Sequence, residues 1–323
     1  MKDIPVNSLT HLYFSFAFIT PNEYNIVGMD GLPSELFSNF TDLKKDNPSL
    51  KMTIAIGGWT HNDPGPLQKV FSDMVSTKQN RSTFIENLMA FLRQYAFDGV
   101  DFDWECPGAD DRGGVPEDGV NFTQFLKELE EENKKQPKRY IVSYTAPTSF
   151  WYLRHFDLKS IDYVDFAIVM SYDLAFGLFW RNDVPAGKLN MGLGFYGRAF
   201  QLADPACNKP GCVFNGGATK GAYSGDSGIL SYREIMEIIK TKKLKPVHDK
   251  EAGVKYITWN TDQWVSYDDK ETFKQKKDLA KELGLGGFLI WAIDQDDDQL
   301  SALSAVLDPK PLGDFRSDKA DEN

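Results

Sequence analysis

Asp98-Gly-Val-Asp-Phe-Asp-Trp-Glu105 sets two kinds of side chain in alternation. In an extended strand successive side chains point to opposite faces. Val100, Phe102 and Trp104 then share an apolar face, and Asp101, Asp103 and Glu105 share the other. Residues two apart lie roughly 6.6 Å apart along a strand. Three carboxylates in such a ladder repel one another in low dielectric, so at least one should hold a proton at neutral pH. Asp98 has the opposite parity and reads as structural, capping the turn with Gly99. The apolar face should pack outward against helices and the acidic face inward.

Outward from this stretch, short apolar runs alternate with amphipathic segments. Strands are expected at Leu9–Ile19, Met52–Gly58, Gly99–Glu105, Tyr140–Thr145, Tyr163–Tyr172, Leu189–Tyr196 and Gly286–Ala292. Helices are expected at Ser34–Lys45, with Ser34 as cap, and at Pro66–Val75, Arg81–Tyr95 and Asn121–Lys134. Near-continuous apolar strands alternating with helices indicate an α/β fold whose parallel sheet is buried on both faces. Seven such strands point to a TIM-type (β/α) barrel, with an open doubly wound sheet as runner-up. No glycine-rich phosphate loop follows the first strand, which weakens the open-sheet reading. Between Phe200 and Leu283 the rhythm changes to a cysteine pair, a glycine-rich run, one helix near Ser231–Lys240 and short strands around Lys255–Trp259 and Trp264–Tyr267. That segment reads as an inserted α+β subdomain. The expected organisation is barrel at 1–200, insertion at 201–283, last strand and helix at 284–309, and a charged tail at 310–323.

The 323 residues carry a net charge of −11, which argues against nucleic acid or an anionic membrane as partner. The 23 Phe, 13 Tyr and 7 Trp supply a core and flat rings suited to a neutral ring-shaped ligand. No apolar run approaches the roughly 20 residues of a membrane span, and no signal-peptide core is visible at Met1-Lys-Asp-Ile-Pro5. Cys207 and Cys212 flank a turn-forming stretch and are expected to form a disulfide, consistent with an oxidising compartment; two free thiols are the alternative. Cys106 reads as a buried, inert thiol.

In a barrel the C-terminal strand ends make the active-site face. Trp59, Glu105, Tyr172, Asp173 and Trp291 all fall at such ends. Carboxylates beside aromatic platforms suit carbohydrate chemistry, in which sugar faces stack on rings and acids handle the protons of the glycosidic bond. The competing readings of the acids are a divalent metal site or a structural cluster. The four histidines do not fall at a strand end beside the acids, and three inward acids are costly without a function. No metal and no cofactor are expected.

The acidic stretch also resembles a known motif. DGVDFDWE matches the DxxDxDxE signature of glycoside hydrolase family 18, the chitinase family. Met52–Trp59 (MTIAIGGW) resembles the family's SxGGW strand, Met170-Ser-Tyr-Asp173 its MxYD strand, Leu193–Arg198 (LGFYGR) its seventh strand, and Gly286–Asp297 its GGxxxWxxDxDD segment. The inserted segment resembles the family's insertion domain, and WTHNDPGP and CPGADDRGG look most like fungal secreted chitinases. The resemblance implies chitin or chito-oligosaccharides as partners, a monomer, an extracellular setting and a retaining, substrate-assisted mechanism. Glu105 is the implied general acid and base, Asp103 the partner of the substrate acetamido N–H, Asp101 the sharer of its proton, and Tyr172 a contact to the acetamido group. Trp291 is the implied floor of the cleft, lined by Phe16, Trp59, Met170 and Asp173, with Tyr196, Arg198 and Tyr256 carried over more weakly.

Three departures from the family pattern carry expectations. The family's GYYxxW-like opening strand has no counterpart, so the edge beside the Leu9–Ile19 strand should be open or poorly covered by an N-terminal segment. About 16 residues separate Asp173 from the next strand, fewer than usual, which points to weakened binding or activity. Ala55 stands for the usual serine, and Cys106 for the usual tyrosine, both tolerable. A chitin-binding lectin and an endo-β-N-acetylglucosaminidase are the alternatives. The acid at 105 argues against the first, and the insertion against the second.

Overall fold

The computed structural model describes residues 4–171 and 176–308. Two compact units divide the chain near Asn190.

The first unit holds β1 (His11–Ile19), β2 (Ile26–Gly28), β3 (Lys51–Gly57), β4 (Gly99–Asp103), β5 (Ile141–Pro147) and β6 (Phe166–Met170). They lie in the order β2-β1-β3-β4-β5-β6. All neighbouring pairs are parallel except β1–β2, a hairpin that pairs Ala17 with Gly28 and Ile19 with Ile26. The edge of β1 expected to be open is therefore occupied over Ala17–Ile19 by β2. Nearer the N-terminus, Asn47 Nδ2 donates to the Val6 carbonyl at 2.9 Å and ties down the segment before β1.

The connections carry α1 (Glu35–Thr41), α2 (Val70–Ser76), α3 (Lys78–Gln94), α4 (Asp118–Asn133), α5 (Phe150–Leu153) and α6 (Gly177–Trp180). Ser34 occupies the position before α1, but its side chain caps nothing, and a 3-10 turn over Asp42–Lys45 finishes the expected helix. The helix expected from Pro66 starts at Val70. Thr77 caps α3 by accepting the Asn80 N–H at 3.1 Å. Phe84, Leu88, Phe91 and Leu92 are buried on one stripe of that helix.

Register fixes which side chains face inward. Asp101 lies opposite Ala55 on one side and Ser143 on the other, so these three share a face. The opposite face is an aromatic core. Phe102 packs on Phe84 of α3 and on Phe122 and Phe125 of α4, with ring centroids 5.2–6.3 Å apart. Trp104 stacks on Phe71 of α2 at 5.2 Å. Such packing stabilises the sheet through buried apolar area and pins the acids to the other side.

Asp98 is buried, as a structural residue, but it does not cap the Gly99 turn. It accepts the Met52 N–H at 2.9 Å and two bonds from Lys44 Nζ at 2.7 and 2.8 Å, and it pairs with Lys138. Burial alone would raise its pKa. The two lysines and the Met52 N–H outweigh that and hold it below the usual carboxylate range.

The second unit begins at β7 (Leu189–Gly194), which straddles the boundary, and also holds β14 (Gly287–Trp291); the Phe195 N–H donates to the Trp291 carbonyl at 2.8 Å. Between them lies an antiparallel sheet of β8 (Tyr196–Leu202), β9 (Phe214–Gly217), β10 (Ile229–Ser231), β11 (Val247–Asp249), β12 (Val254–Trp259) and β13 (Gln263–Tyr267). Its order is β10-β8-β13-β12-β11, with β9 beside β8. One face packs Ala199, Ile257, Trp259 and Val265 against Ile235 of α7 (Tyr232–Lys242). Ser231 and Glu234 form a capping box at the start of α7, and Asp269 and Thr272 do the same for α8 (Lys270–Leu283). A final helix, α9 (Ser301–Leu307), follows β14. Cys207 and Cys212 are bonded to each other, and Cys106 is a free buried thiol whose pKa is raised by burial.

Candidate active site

Strand β4 ends at Asp103, two residues earlier than expected, so Glu105 stands just past the strand end. The termination has a local cause. Gly57 and Gly58, at the end of β3, both have positive φ, at 117° and 84°. The Gly58 N–H turns across to donate to the Asp103 carbonyl at 2.8 Å, closing the ladder there. A Cβ on Gly58 would come within 2.6 Å of the Phe16 ring, so the glycine lets that ring approach the chain closely. The Ser15–Phe16 and Glu105–Cys106 peptides are cis, as is Trp291–Ala292 in the second unit.

The three acids sit in different surroundings. Asp101 is deepest and fully partnered. Ser143 Oγ donates to it at 2.5 Å and Thr145 Oγ1 at 3.1 Å. Burial raises its pKa to about 6, against the pull of the two hydroxyls. Tyr13 joins this network through Ser143, and burial together with the Asp101 charge raises its pKa. Asp103 is buried, and its Oδ1 has no hydrogen-bond partner among the described residues. Burial, then the charge of Glu105, then that of Asp101 push its pKa well above the ordinary range. Glu105 is half-buried, and burial raises its pKa to about 7, opposed by the Arg112 charge.

The ladder is thus electrostatically frustrated: these carboxyls cannot all ionise together at neutral pH. An acid with a pKa near 7 at the rim can give up a proton and take it back. A buried carboxyl oxygen two residues below, without a partner among the described residues, is an acceptor left open there.

Trp59 follows Gly58 and is 49% exposed, a large ring left open to solvent. The guanidinium of Arg112 covers one of its faces at 3.8 Å. Met170 closes β6, and its carbonyl accepts from Thr148 Oγ1 at 3.4 Å. Asp101, Asp103, Glu105, Trp59, Phe16 and Met170 therefore all belong to strands of the first unit or their C-terminal ends. Tyr172 and Asp173 lie outside the described residues.

In the second unit Arg198, Ser266 and Tyr256 are register partners across β8, β13 and β12, so they share one face of the sheet. Tyr196 is two residues along on β8, with the Arg198 guanidinium 5.5 Å from its ring. Tyr256 stacks on Trp264 at 5.6 Å. This face is opposite the one packed on α7. Trp291 closes β14.

Sequence reasoning missed Ser143, Thr145, Tyr13 and Arg112. The first two had a signal: Ser143 and Thr145 are two apart in an otherwise apolar run, the period of one strand face. Arg112, in the loop Asp110-Asp-Arg-Gly-Gly114, had none.

Residues 1–296 match the profile of "Glycosyl hydrolases family 18". Mouse chitotriosidase-1 is 31% identical over 334 aligned residues, covering 92% of this chain and 69% of the mouse protein. A probable LysM chitinase of Penicillium expansum is 29% identical, covering 96% of this chain but 31% of its own length. The solved Group IV chitinase of Ostrinia furnacalis in complex with allosamidin superposes with a TM-score of 0.85 at 29% identity, over 94% of this chain and 90% of that one. The strand and helix alternation, taken with these matches, is that of a TIM-type (β/α) barrel carrying a small α+β insertion.

Proposed function

Because the chain belongs to glycosyl hydrolase family 18, we propose that it hydrolyses β-1,4 linkages between N-acetylglucosamine units of chitin by a retaining, substrate-assisted route. The observation that carries the route is Asp103 Oδ1: buried, without a partner among the described residues, and directly below an acid with a pKa near 7.

In this reading Glu105 donates its proton to the glycosidic oxygen as the bond to the anomeric carbon breaks. The 2-acetamido oxygen of the same sugar attacks that carbon, giving an oxazolinium ion and leaving no covalent bond to the protein. Asp103 accepts the acetamido N–H and offsets the positive charge that develops. Asp101 shares the proton of the ladder and lets Asp103 ionise when the charge appears. Glu105, now a carboxylate, takes a proton from water as the water opens the oxazolinium ion with net retention. Trp59 and Phe16 offer ring faces for sugars, and Tyr196, Arg198, Tyr256 and Trp291 supply further contacts in the second unit. Tyr172 and Asp173 keep the roles that the motif implies.

We further read residues 1–200 and 284–309 as the barrel and 201–283 as the insertion, a boundary that β8 straddles. A secreted, fungal origin fits the bonded Cys207–Cys212 pair and the similarity to Penicillium expansum sequences. Among the described residues no helix is long and apolar enough to cross a membrane.

Release of reducing ends from soluble chito-oligosaccharides tests the reading, with Glu105→Gln as control. The wild type should cleave and the variant should bind without cleaving. Binding without cleavage by the wild type would instead make the protein a lectin.

A further inference from the structure

We propose that Arg112 is a positioning residue that ties the strand end bearing Glu105 to the exposed indole of Trp59. It would thereby set the spacing between the acid and the sugar-binding ring. The proposal rests on Glu105 being the general acid.

Arg112 is 5% exposed although it lies in a loop of charged and glycine residues. Its donors reach three separate places. Nε donates to the Glu105 carbonyl at 3.2 Å, a second nitrogen to the Trp59 carbonyl, and Nη1 to Asp63 Oδ1 at 2.9 Å. The same guanidinium lies over the Trp59 ring at 3.8 Å. Two of these acceptors are backbone carbonyls just beyond neighbouring strands, β4 and β3, whose ladder ends at Asp103 and Gly57. Arg112 continues the connection where the ladder stops. A planar fork with a flat apolar face can do both at once; a lysine cannot.

The loop is built to deliver this side chain. Asp118, buried in the first turn of α4, accepts the Gly108 and Val115 N–H groups at 3.1 and 2.8 Å and the Ser72 hydroxyl at 2.7 Å. Inside the loop the Arg112 N–H donates to the Ala109 carbonyl at 3.0 Å, and Gly114 to the same carbonyl at 2.8 Å. Tyr152 of α5 holds the rim by donating to Asp111 at 2.9 Å.

Arg112 also acts through its charge. Among the described residues Glu105 interacts electrostatically with Arg112 and Cys106 from the loop and with Asp103 from its own strand; Asp111 acts on Cys106, Tyr152 is bonded to Asp111, and Asp63 faces Arg112. Burial raises the pKa of Glu105, and Arg112 is the charge that opposes it.

The test compares Arg112→Gln and Arg112→Lys with wild type, measuring folding by circular dichroism and Tm, and kcat and KM on chito-oligosaccharides across pH. Wild-type cleavage that disappears in Glu105→Gln first secures the role of the acid. Arg112→Gln should then raise KM by about 10-fold, the scale of a lost charged hydrogen bond. It should also move the alkaline limb of kcat/KM upward by roughly half to one pH unit. Arg112→Lys keeps a positive charge, so its limb should lie near the wild type while KM stays raised. A folded Arg112→Gln with wild-type limb and KM overturns the proposal. Should Arg112→Gln fail to fold, Arg112→Lys decides: a wild-type KM in that variant overturns it, and a raised KM with an unmoved limb supports it.

Discussion

Ser143 Oγ donates to Asp101 Oδ1 at 2.5 Å, from the strand adjoining the one that carries the acid. The deepest carboxyl of the ladder is thus held by its neighbour, and its affinity for a proton is set there. Removing the hydroxyl should raise the Asp101 pKa above about 6, because the bond stabilises the charged form. Ser143→Ala should lower kcat about 10-fold with little change in KM, since one hydrogen bond to a charged group is lost. A kcat unchanged from pH 5 to pH 8 would count against the proton-sharing role of Asp101.

Stability should fall as pH rises from about 4 to about 7. For an acid whose folded pKa lies above its unfolded value, the folded state binds more protons between the two, so unfolding becomes easier with rising pH. For Asp101 that window runs from the ordinary 3.8 to about 6, and for Glu105 from the ordinary 4.5 to about 7. For Glu105 alone the loss is on the order of 3 kcal/mol across its window. Glu105→Gln should flatten that part of the profile and be the more stable protein at pH 8. Denaturant unfolding of the two proteins at pH 4 and pH 8 checks it.

Gly58→Ala should destabilise by about 2–3 kcal/mol, combining a left-handed backbone with overpacking. The added Cβ would meet the Phe16 ring at 2.6 Å. Gly177→Ala is the control: nothing lies within 4 Å of its Cβ position, and its φ is unexceptional, so its Tm should not fall.

Asp98→Ala should cost about 3 kcal/mol by leaving the Lys44 charge and the buried Met52 N–H without their partner. Lys44 is itself mostly shielded, with 28% of its side chain exposed against 3% for Asp98. Activity per folded molecule should stay at the wild-type level, separating Asp98 from the three acids that follow it. A loss of kcat with unchanged Tm would reverse that division.

The alternation in β4 was legible because acids replace the apolar residues that a strand buried on both faces usually carries on its second face, which leaves a plain period-two signature: Phe102 and Trp104 had to face helices, so the acids had to face inward. The inserted sheet was harder to read. Its strands β10 and β11 are three residues each, too short for periodicity, and β8 follows β7 after one residue and so looks like its continuation. Three-residue β2 was hidden for the same reason, and with it the cover on the edge of β1. Arg112 was illegible for another cause. Its burial comes from Trp59, Asp63 and Glu105, which are distant in sequence or lie around a turn, so no local pattern marks it.

The two glycines that end β3 also constrain how this protein can diversify. A Cβ on Gly57 would fall 2.2 Å from the Asp103 carbonyl oxygen, and one on Gly58 would strike the Phe16 ring. The wall where β3 ends beside Asp103 is therefore bare main chain at these two positions, with no side chain there to exchange for a larger or a more polar one. Adaptation to a differently decorated polymer must proceed through residues elsewhere, such as those of the inserted sheet, while this wall stays closed to mutation.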